Sequence, residues 1–177
     1  MLQKSLTITL SLALFAGLAS AQTAPKMEMR TSSLKAANGQ VIGEVTVTAA
    51  PNGVILRVRA KGLSPGWHGM HFHDKADCSD PAFKNSGGHI QAKTPAVHGM
   101  LNADFSHAGD LPNLYVNADG SATVELYSAL VTLNRIDTRP ALLDEDGSAL
   151  VIHADPDDYK TQPVGGAGDR VACAPIH

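Results

Sequence analysis

The sequence predicts an all-β protein, an antiparallel Greek-key β-barrel or sandwich with two long functional loops. Short segments in which apolar and polar residues alternate with a period of two recur along the chain after residue 40. Turn-forming Asn-Gly and Asp-Gly pairs separate several of them, and no stretch carries a helical period for more than a turn or two. Many short strands with regular turns are typical of this fold class.

The expected strands follow from the alternation. Val45 and Val47 alternate with threonines, and residues 55–60 alternate after a second turn, which indicates strands with one wet face. The hairpin signals are Asn38-Gly39 and Asn52-Gly53. Further strands are expected at 67–73, 114–116, 123–127, 141–143, 149–153 and 171–173.

Two loops interrupt this pattern, at 74–113 and 154–169. The first is rich in Gly, Pro, Asn, Asp, Ser and His, and it shows no alternation. Such a long loop inside a compact domain is uncommon and usually functional. It needs something other than a hydrophobic core to hold it, and metal ions together with a disulfide would serve.

Residues 1–21 are predicted to be a secretory signal peptide. Lys4 precedes an apolar run at 8–18, and Ala19-Ser20-Ala21 provides a small-residue cleavage site. We therefore expect one domain over 22–177, periplasmic or secreted, with no membrane attachment after cleavage. A membrane anchor is the alternative, but the run is short for a bilayer.

The two cysteines, Cys78 and Cys173, are far apart in the sequence. In an oxidising compartment a bridge between them is the natural interpretation, with two buried thiols as the alternative. The bridge would close a loop of roughly 95 residues, for which the chain-entropy model gives about 4–5 kcal/mol.

The charge pattern argues against nucleic acid as a partner. The formal net charge is −3, and neither a basic run nor interleaved aromatic residues occur. The sequence also has no Gly-rich phosphate loop, no G-x-S-x-G nucleophile elbow and no H-E-x-x-H motif. Of these function classes, metal binding is therefore the one that residues of this sequence support.

Those residues are the histidines, of which there are eight. His71 and His73 are two apart on an expected strand, so both side chains leave the same face. The first long loop supplies three imidazoles and a carboxylate, which make a complete tetrahedral set for Zn²⁺: His89, His98, His107 and Asp110. Sites rich in imidazole suit copper and zinc. Spacing alone predicts a metal-binding β domain and leaves a redox enzyme open.

The other three histidines lie outside these two groups in the sequence. His153 ends an expected strand. His68 lies an odd number of positions before His71 and should face away from the His71–His73 pair, so we expect a structural role. His177 is terminal and we assign it no function.

Five ordered segments carry most of these residues: GMHFHD at 69–74, SGGH at 86–89, HAGDLP at 107–112, VIHADPDD at 151–158 and GGAGDRVAC at 165–173. Together they resemble the copper,zinc superoxide dismutase family in its bacterial form, and the likeness runs from about residue 27 to residue 173.

The resemblance implies a ligand set for each metal and a role for the residues around them. It implies that copper is bound by His71, His73, His89 and His153, and zinc by His89, His98, His107 and Asp110. It makes Asp157 the acceptor that links one ligand of each metal, Arg170 the side chain that attracts the anion, and Cys78–Cys173 the family disulfide.

The implied reaction is the dismutation of two superoxide anions to dioxygen and hydrogen peroxide, with His89 bridging the metals and carrying a proton. Lys75, Lys93 and Lys160 lie in the two loops and could help to attract the anion. Rival interpretations are a metal carrier, an inactive structural domain and a copper-only dismutase. All implied ligands and Arg170 are present, which disfavours each rival. Monomer and homodimer both stay open.

Overall fold

The computed structural model describes residues 27–177, so the signal-peptide prediction lies outside the described residues. Within that range the chain forms nine strands and one short 3₁₀ turn at Lys84–Ser86. The strands are β1 (Met29–Ala36), β2 (Val41–Ala50), β3 (Gly53–Lys61), β4 (Gly66–His68), β5 (Met70–His73), β6 (Leu114–Val116), β7 (Ser121–Ser128), β8 (Ser148–His153) and β9 (Arg170–Ile176).

Seven of these strands form one antiparallel sheet in the order β5-β8-β9-β1-β2-β3-β7, and β4 pairs with β6 in a second, two-stranded sheet. The hairpin-linked strands β1, β2 and β3 lie side by side, and β9 returns from the end of the chain to pair with β1. Strand β3 pairs with β7 and not with the next strands along the chain, which is the kind of long connection that a Greek key contains. The predicted all-β class is confirmed. No helix in the described part of the chain has the length and apolar character needed to cross a membrane.

The core lies on the inner faces of the sheet. On β3, Leu56, Val58 and Ala60 are buried and the residues between them are exposed, as the alternation predicted. Strand β8 differs, because all six of its residues are buried. One face of β8 meets the main core, whereas Ala149 and Val151 on the other face pack with Phe83 of the first long loop. Burial on both faces places β8 beneath this loop.

Three segments depart from the expected strands. Strand β1 was not predicted, and the segment at 67–73 divides into β4 and β5 at Gly69. At Gly69 the backbone bonds instead to the end of β8 and the residues after it, because Gly69 N–H donates to the carbonyl of Asp155 (2.8 Å) and its carbonyl accepts from His153 N–H (2.8 Å). The segment at 141–143 is not a strand and makes one isolated bridge, between Thr132 and Ala141.

Candidate metal centre

The long loop lies along β5 and brings its histidines to the sheet. Isolated antiparallel bridges join His73 to His89 and His71 to Asp110. Between them, Phe72 N–H donates to the carbonyl of Gly109 (2.8 Å), and the Phe72 carbonyl accepts from the N–H of Ile90 (3.0 Å). Two stretches of the loop are therefore held against β5 by backbone hydrogen bonds.

Gly109 is required by this close approach. A Cβ at position 109 would lie 2.2 Å from the carbonyl oxygen of Phe72, which is a clash with backbone that cannot move aside. Any larger residue would push the stretch that ends in Asp110 away from β5.

One cluster of buried side chains is formed by four histidines whose ring nitrogens lie within 4.8 Å of one another: His71, His73, His89 and His153. The first two come from β5 and the last from the end of β8, the neighbouring strand. His153 is anchored through its backbone, because its N–H donates to the carbonyl of Gly69 at 2.8 Å. The remaining ring, that of His89, comes from the loop.

Outward hydrogen bonds fix the tautomers in this cluster. His71 Nε2 lies 2.8 Å from a carboxylate oxygen, and a carboxylate only accepts, so Nε2 carries the proton. His73 Nδ1 donates to the carbonyl of Gly87 (3.0 Å), and His153 Nδ1 donates to that of Gly168 (3.2 Å). In each of these three rings, the nitrogen that faces the cluster therefore carries no proton.

The nitrogens that face the centre of this cluster are buried and have no hydrogen-bond partner. They are His71 Nδ1, His73 Nε2, His89 Nε2 and His153 Nε2. Buried polar atoms are nearly always satisfied, and four orphans that converge need one common partner. A metal cation with four imidazole ligands meets that need.

A second buried cluster uses the same loop histidine, and its members are His89, His98, His107 and Asp110. The Nδ1 atoms of His98 and His107 are 3.3 Å apart, as are those of His107 and His89. Asp110 Oδ1 lies 3.0 Å from His89 Nδ1. Tetrahedral zinc with bonds of about 2.0–2.1 Å would separate its ligand atoms by about 3.3 Å. The donor set and spacing therefore fit zinc.

One carboxylate joins the two clusters from outside. Asp157 Oδ2 accepts from His71 Nε2 at 2.8 Å, and Asp157 Oδ1 accepts from His98 Nε2 at 3.1 Å. The two rings belong to different clusters, so Asp157 couples their orientations. Acceptors behind ligating histidines commonly fix the ring and raise its basicity.

Burial sets the protonation of most of these rings. Desolvation lowers the pKa of His153 to about 3 and that of His89 to about 4, with nearby histidines adding to the effect at both. Desolvation, reinforced by His89 and Arg170, also lowers the pKa of His73. Neutral imidazole is the form that binds metals, so these rings are ready as ligands at neutral pH.

The carboxylates have the opposite influence on one ring. Burial would lower the pKa of His98, but hydrogen bonds to Asp110 and Asp157 outweigh it and raise this pKa to about 9. Burial would raise the pKa of both carboxyl groups, and their histidine partners instead hold those pKa values below the ordinary range. Both carboxyl groups are therefore ionised.

Arg170, the first residue of β9, points its guanidinium at the segment that leads to His89. Nη1 donates to the carbonyl of Phe83 (2.6 Å) and to Ser86 Oγ (3.1 Å), and Nη2 donates to the carbonyl of Gly87 (2.8 Å). Partial burial lowers the pKa of this guanidinium from its ordinary value. The group remains a fixed positive charge near the first cluster.

A cavity of about 450 Å³ opens beside this guanidinium and is lined by Lys84 and Asp169 as well as Arg170. None of the three lysines suggested by the sequence lines it, and Lys93 instead lines a separate cavity near His107. Sequence reasoning missed Lys84, although it lies in the same loop, two residues before the SGGH segment begins at Ser86.

Comparison with known proteins decides the family. The sequence profile of the copper/zinc superoxide dismutase (SODC) family matches residues 41–176. The chain belongs to the copper/zinc superoxide dismutase family. It is 56% identical over 146 residues to "Superoxide dismutase [Cu-Zn]" of Caulobacter vibrioides, covering 82% of this chain and 84% of that protein.

Solved structures agree with this membership of the copper/zinc superoxide dismutase family. A SOD-like protein from Bacillus subtilis matches with a TM-score of 0.78 and 34% identity, covering 83% of this chain and 97% of that one. The Cu/Zn superoxide dismutase from Brucella abortus matches with a TM-score of 0.67 and 28% identity, covering 85% and 100%.

In this member of the copper/zinc superoxide dismutase family, a disulfide joins the first long loop to the seven-stranded sheet. Cys78 and Cys173 are bonded, with 5.8 Å between their Cα atoms, and 95 positions separate them. Cys173 packs with Phe83, whose carbonyl holds Arg170. The disulfide therefore ties the loop to β9 close to the guanidinium.

Two histidines lie outside both clusters. His68 is buried, and its Nδ1 lies 2.6 Å from the carbonyl oxygen of His153 while its Nε2 lies 2.8 Å from that of Ser64. It braces the backbone behind His153. His177 is exposed at the end of the chain.

Proposed function

We propose that the chain is a periplasmic or secreted copper,zinc superoxide dismutase that converts two superoxide anions to dioxygen and hydrogen peroxide. The observation that carries this proposal is a pair of buried four-ligand clusters that share one ring, His89. Membership of the copper/zinc superoxide dismutase family supports the reaction.

The donor atoms support a distinct metal for each cluster. We assign copper to the four-imidazole set of His71, His73, His89 and His153, because nitrogen-rich sets suit Cu(II). We assign zinc to His89, His98, His107 and Asp110, whose three nitrogens and one carboxylate complete a closed tetrahedral site. His89 would then offer Nε2 to copper and Nδ1 to zinc.

When bound, copper supplies one-electron chemistry, taking an electron from one superoxide and giving it to another. The chain's own residues attract the anion and supply a proton. Arg170 presents a permanent positive charge beside the cavity, and such local positive potential raises the encounter rate of an anion. His89 would carry a proton on Nε2 only while that atom is not bound to copper; this buried nitrogen has no other hydrogen-bond partner and would then donate the proton to the reduced oxygen, with the second proton of hydrogen peroxide coming from water.

A metal carrier would use the same ligands without turnover. The Arg170 guanidinium, which shares the Gly87 carbonyl with His73, favours the enzyme, because a carrier of cations gains nothing from a fixed positive charge beside its metal. Loading residues 22–177 with copper alone, zinc alone or both, and following superoxide loss, separates the two functions. The enzyme requires rapid loss in the copper-containing samples, whereas a carrier would bind both metals and leave superoxide at the uncatalysed rate.

We also propose export and a single catalytic domain over residues 22–177. The Cys78–Cys173 disulfide supports an oxidising compartment. Expression of the full chain in a bacterium, followed by N-terminal sequencing of the periplasmic and medium fractions, should give a start near Gln22. A protein that keeps residue 1 and stays in the cytoplasm would contradict export.

A further inference from the structure

The side chain of Asn113 forms two hydrogen bonds with the backbone of Asp157, one through each of its polar atoms. Asp157 N–H donates to Asn113 Oδ1 at 2.9 Å, and Asn113 Nδ2 donates to the Asp157 carbonyl at 2.9 Å. Asn113 ends the first long loop, just before β6, and Asp157 lies in the second loop. A single amide therefore joins the two loops at the residue whose carboxylate links the two ligand clusters.

A third residue, Tyr159, joins Asn113 and Asp157 in a closed ring of hydrogen bonds. Asn113 N–H donates to Tyr159 Oη at 2.7 Å, and Tyr159 N–H donates to Asp157 Oδ1 at 2.6 Å. Tyr159 has a φ of 61°, a left-handed conformation that persists in a bulky residue only where its surroundings fix it. Its carbonyl also accepts from Leu101 N–H at 3.1 Å.

The hydrogen-bond ring includes one carboxylate oxygen of Asp157, and this is the oxygen that also accepts from a histidine of the proposed zinc cluster. Asp157 Oδ1 accepts from both Tyr159 N–H and His98 Nε2, whereas Oδ2 accepts from His71. Movement of the Asp157 backbone would therefore reach the His98 ring most directly. The His71 ring is also held by its place on β5.

We propose that Asn113 is a positioning residue for zinc, because it holds Asp157 where the carboxylate orients His98. Tyr159 completes the ring and shares this role. The inference rests on the proposed assignment of zinc to the cluster that contains His98. It concerns the holding of Asp157 by its neighbours, beyond the link that Asp157 itself makes between the two clusters.

The test is zinc affinity of the folded, metal-free protein, measured by competition with a chelator. Loss of partners behind metal ligands weakens binding by about 10–100-fold, and we expect Asn113→Ala to weaken zinc by about tenfold. The matched control is Asn117→Ala, which also removes an amide that donates to a carbonyl, that of Ser121 in an exposed turn. Its zinc affinity should equal that of the wild type.

A spectroscopic measurement separates positioning from simple loss of stability. Cobalt(II) placed in the zinc cluster reports ligand geometry through its visible absorption. At saturating cobalt, Asn113→Ala should shift this spectrum and Asn117→Ala should not. An unchanged spectrum in Asn113→Ala would mean that the side chain only stabilises the fold, which overturns the proposal.

A double-mutant cycle shows whether Asn113 acts through Asp157. In an Asp157→Ala background, Asn113→Ala should have little further effect on zinc affinity. An equal loss in both backgrounds overturns the proposal, as does an Asn113→Ala protein with wild-type affinity while Asp157→Ala is weakened. A wild-type chain that binds no zinc would overturn the metal assignment and this inference together.

The milder variant Tyr159→Phe removes only the hydroxyl that accepts from Asn113 and keeps the aromatic ring. It serves if Asn113→Ala does not fold. We expect a smaller loss of zinc affinity than for Asn113→Ala, with a shift of the cobalt spectrum in the same direction. Wild-type affinity and spectrum in Tyr159→Phe would then contradict the role of the ring.

Discussion

Arg170 Nη2 donates a hydrogen bond to the carbonyl oxygen of Gly87, at 2.8 Å. The same carbonyl accepts from His73 Nδ1 at 3.0 Å, so one backbone oxygen connects the guanidinium to a proposed copper ligand. Gly87 lies two residues before His89. The charge that would attract superoxide is thus fixed relative to two of the proposed copper ligands.

Removing this charge should slow catalysis and leave copper in place. We expect Arg170→Ala to lower kcat/KM by about tenfold or more, because local positive potential raises the encounter rate of an anion. Stopped-flow measurement of superoxide loss at low ionic strength, with copper content measured on the same samples, tests this.

Arg170→Lys is the informative companion to Arg170→Ala. Lysine keeps the charge, but an ammonium cannot reproduce the fork that contacts Phe83 and Gly87. Its rate should fall between those of the wild type and Arg170→Ala. Equal rates for all three proteins would remove Arg170 from the mechanism.

Lys84 should add to the attraction of the anion, because it lines the cavity beside Arg170. Lys84→Glu is expected to lower kcat/KM by about tenfold at low ionic strength, and this difference should shrink as salt is added. Lys93→Glu is the matched control, since it makes the same charge change at a cavity next to His107. A larger loss for Lys93→Glu would place the approach of superoxide elsewhere.

Asp157 should support both metals. Asp157→Asn keeps the shape of the side chain, yet its amide can accept from only one of the two histidines and turns donors toward the other. We expect affinities for zinc and copper to fall by about 10–100-fold, measured by chelator competition. Asp158→Asn is the control, because that exposed carboxylate only accepts from Lys160 and Thr161. Wild-type affinities in Asp157→Asn would contradict the proposed link.

The disulfide should contribute strongly to stability. It closes a loop across 95 positions, for which the chain-entropy model gives about 4–5 kcal/mol. Urea unfolding of the metal-free protein should show this loss in the free energy of unfolding on addition of reductant. A Cys78→Ser/Cys173→Ser variant should start at the lower value and not respond to reductant. Equal stability with and without reductant in the wild type would contradict this contribution.

Alternation predicted strands whose inward-facing residues are apolar, and it failed for β1, whose inward-facing positions are partly polar. On β3 every second side chain is buried, so the pattern is visible in the sequence. In β1, Leu34 is the one fully buried residue, and its polar neighbours carry no signal. This strand exists because β2 and β9 flank it, which local sequence does not encode.

The candidate site divides in a similar way. Histidines grouped in a loop without a core, in motifs typical of one family, led to the residues that the structure brings together in two clusters. Asn113 and Lys84 were missed, because asparagine and lysine are common in loops and their partners are distant in sequence. Asn113 contacts a residue 44 positions away, and only the folded chain shows that contact.

The most direct test of the account compares metal content and superoxide dismutation in the wild type and His153→Ala. His153 belongs only to the proposed copper cluster, so the variant should keep about one zinc per chain and lose copper together with activity. His177→Ala, at an exposed position outside both clusters, should match the wild type. A wild type that holds both metals without dismuting superoxide, or an active His153→Ala, would contradict the account.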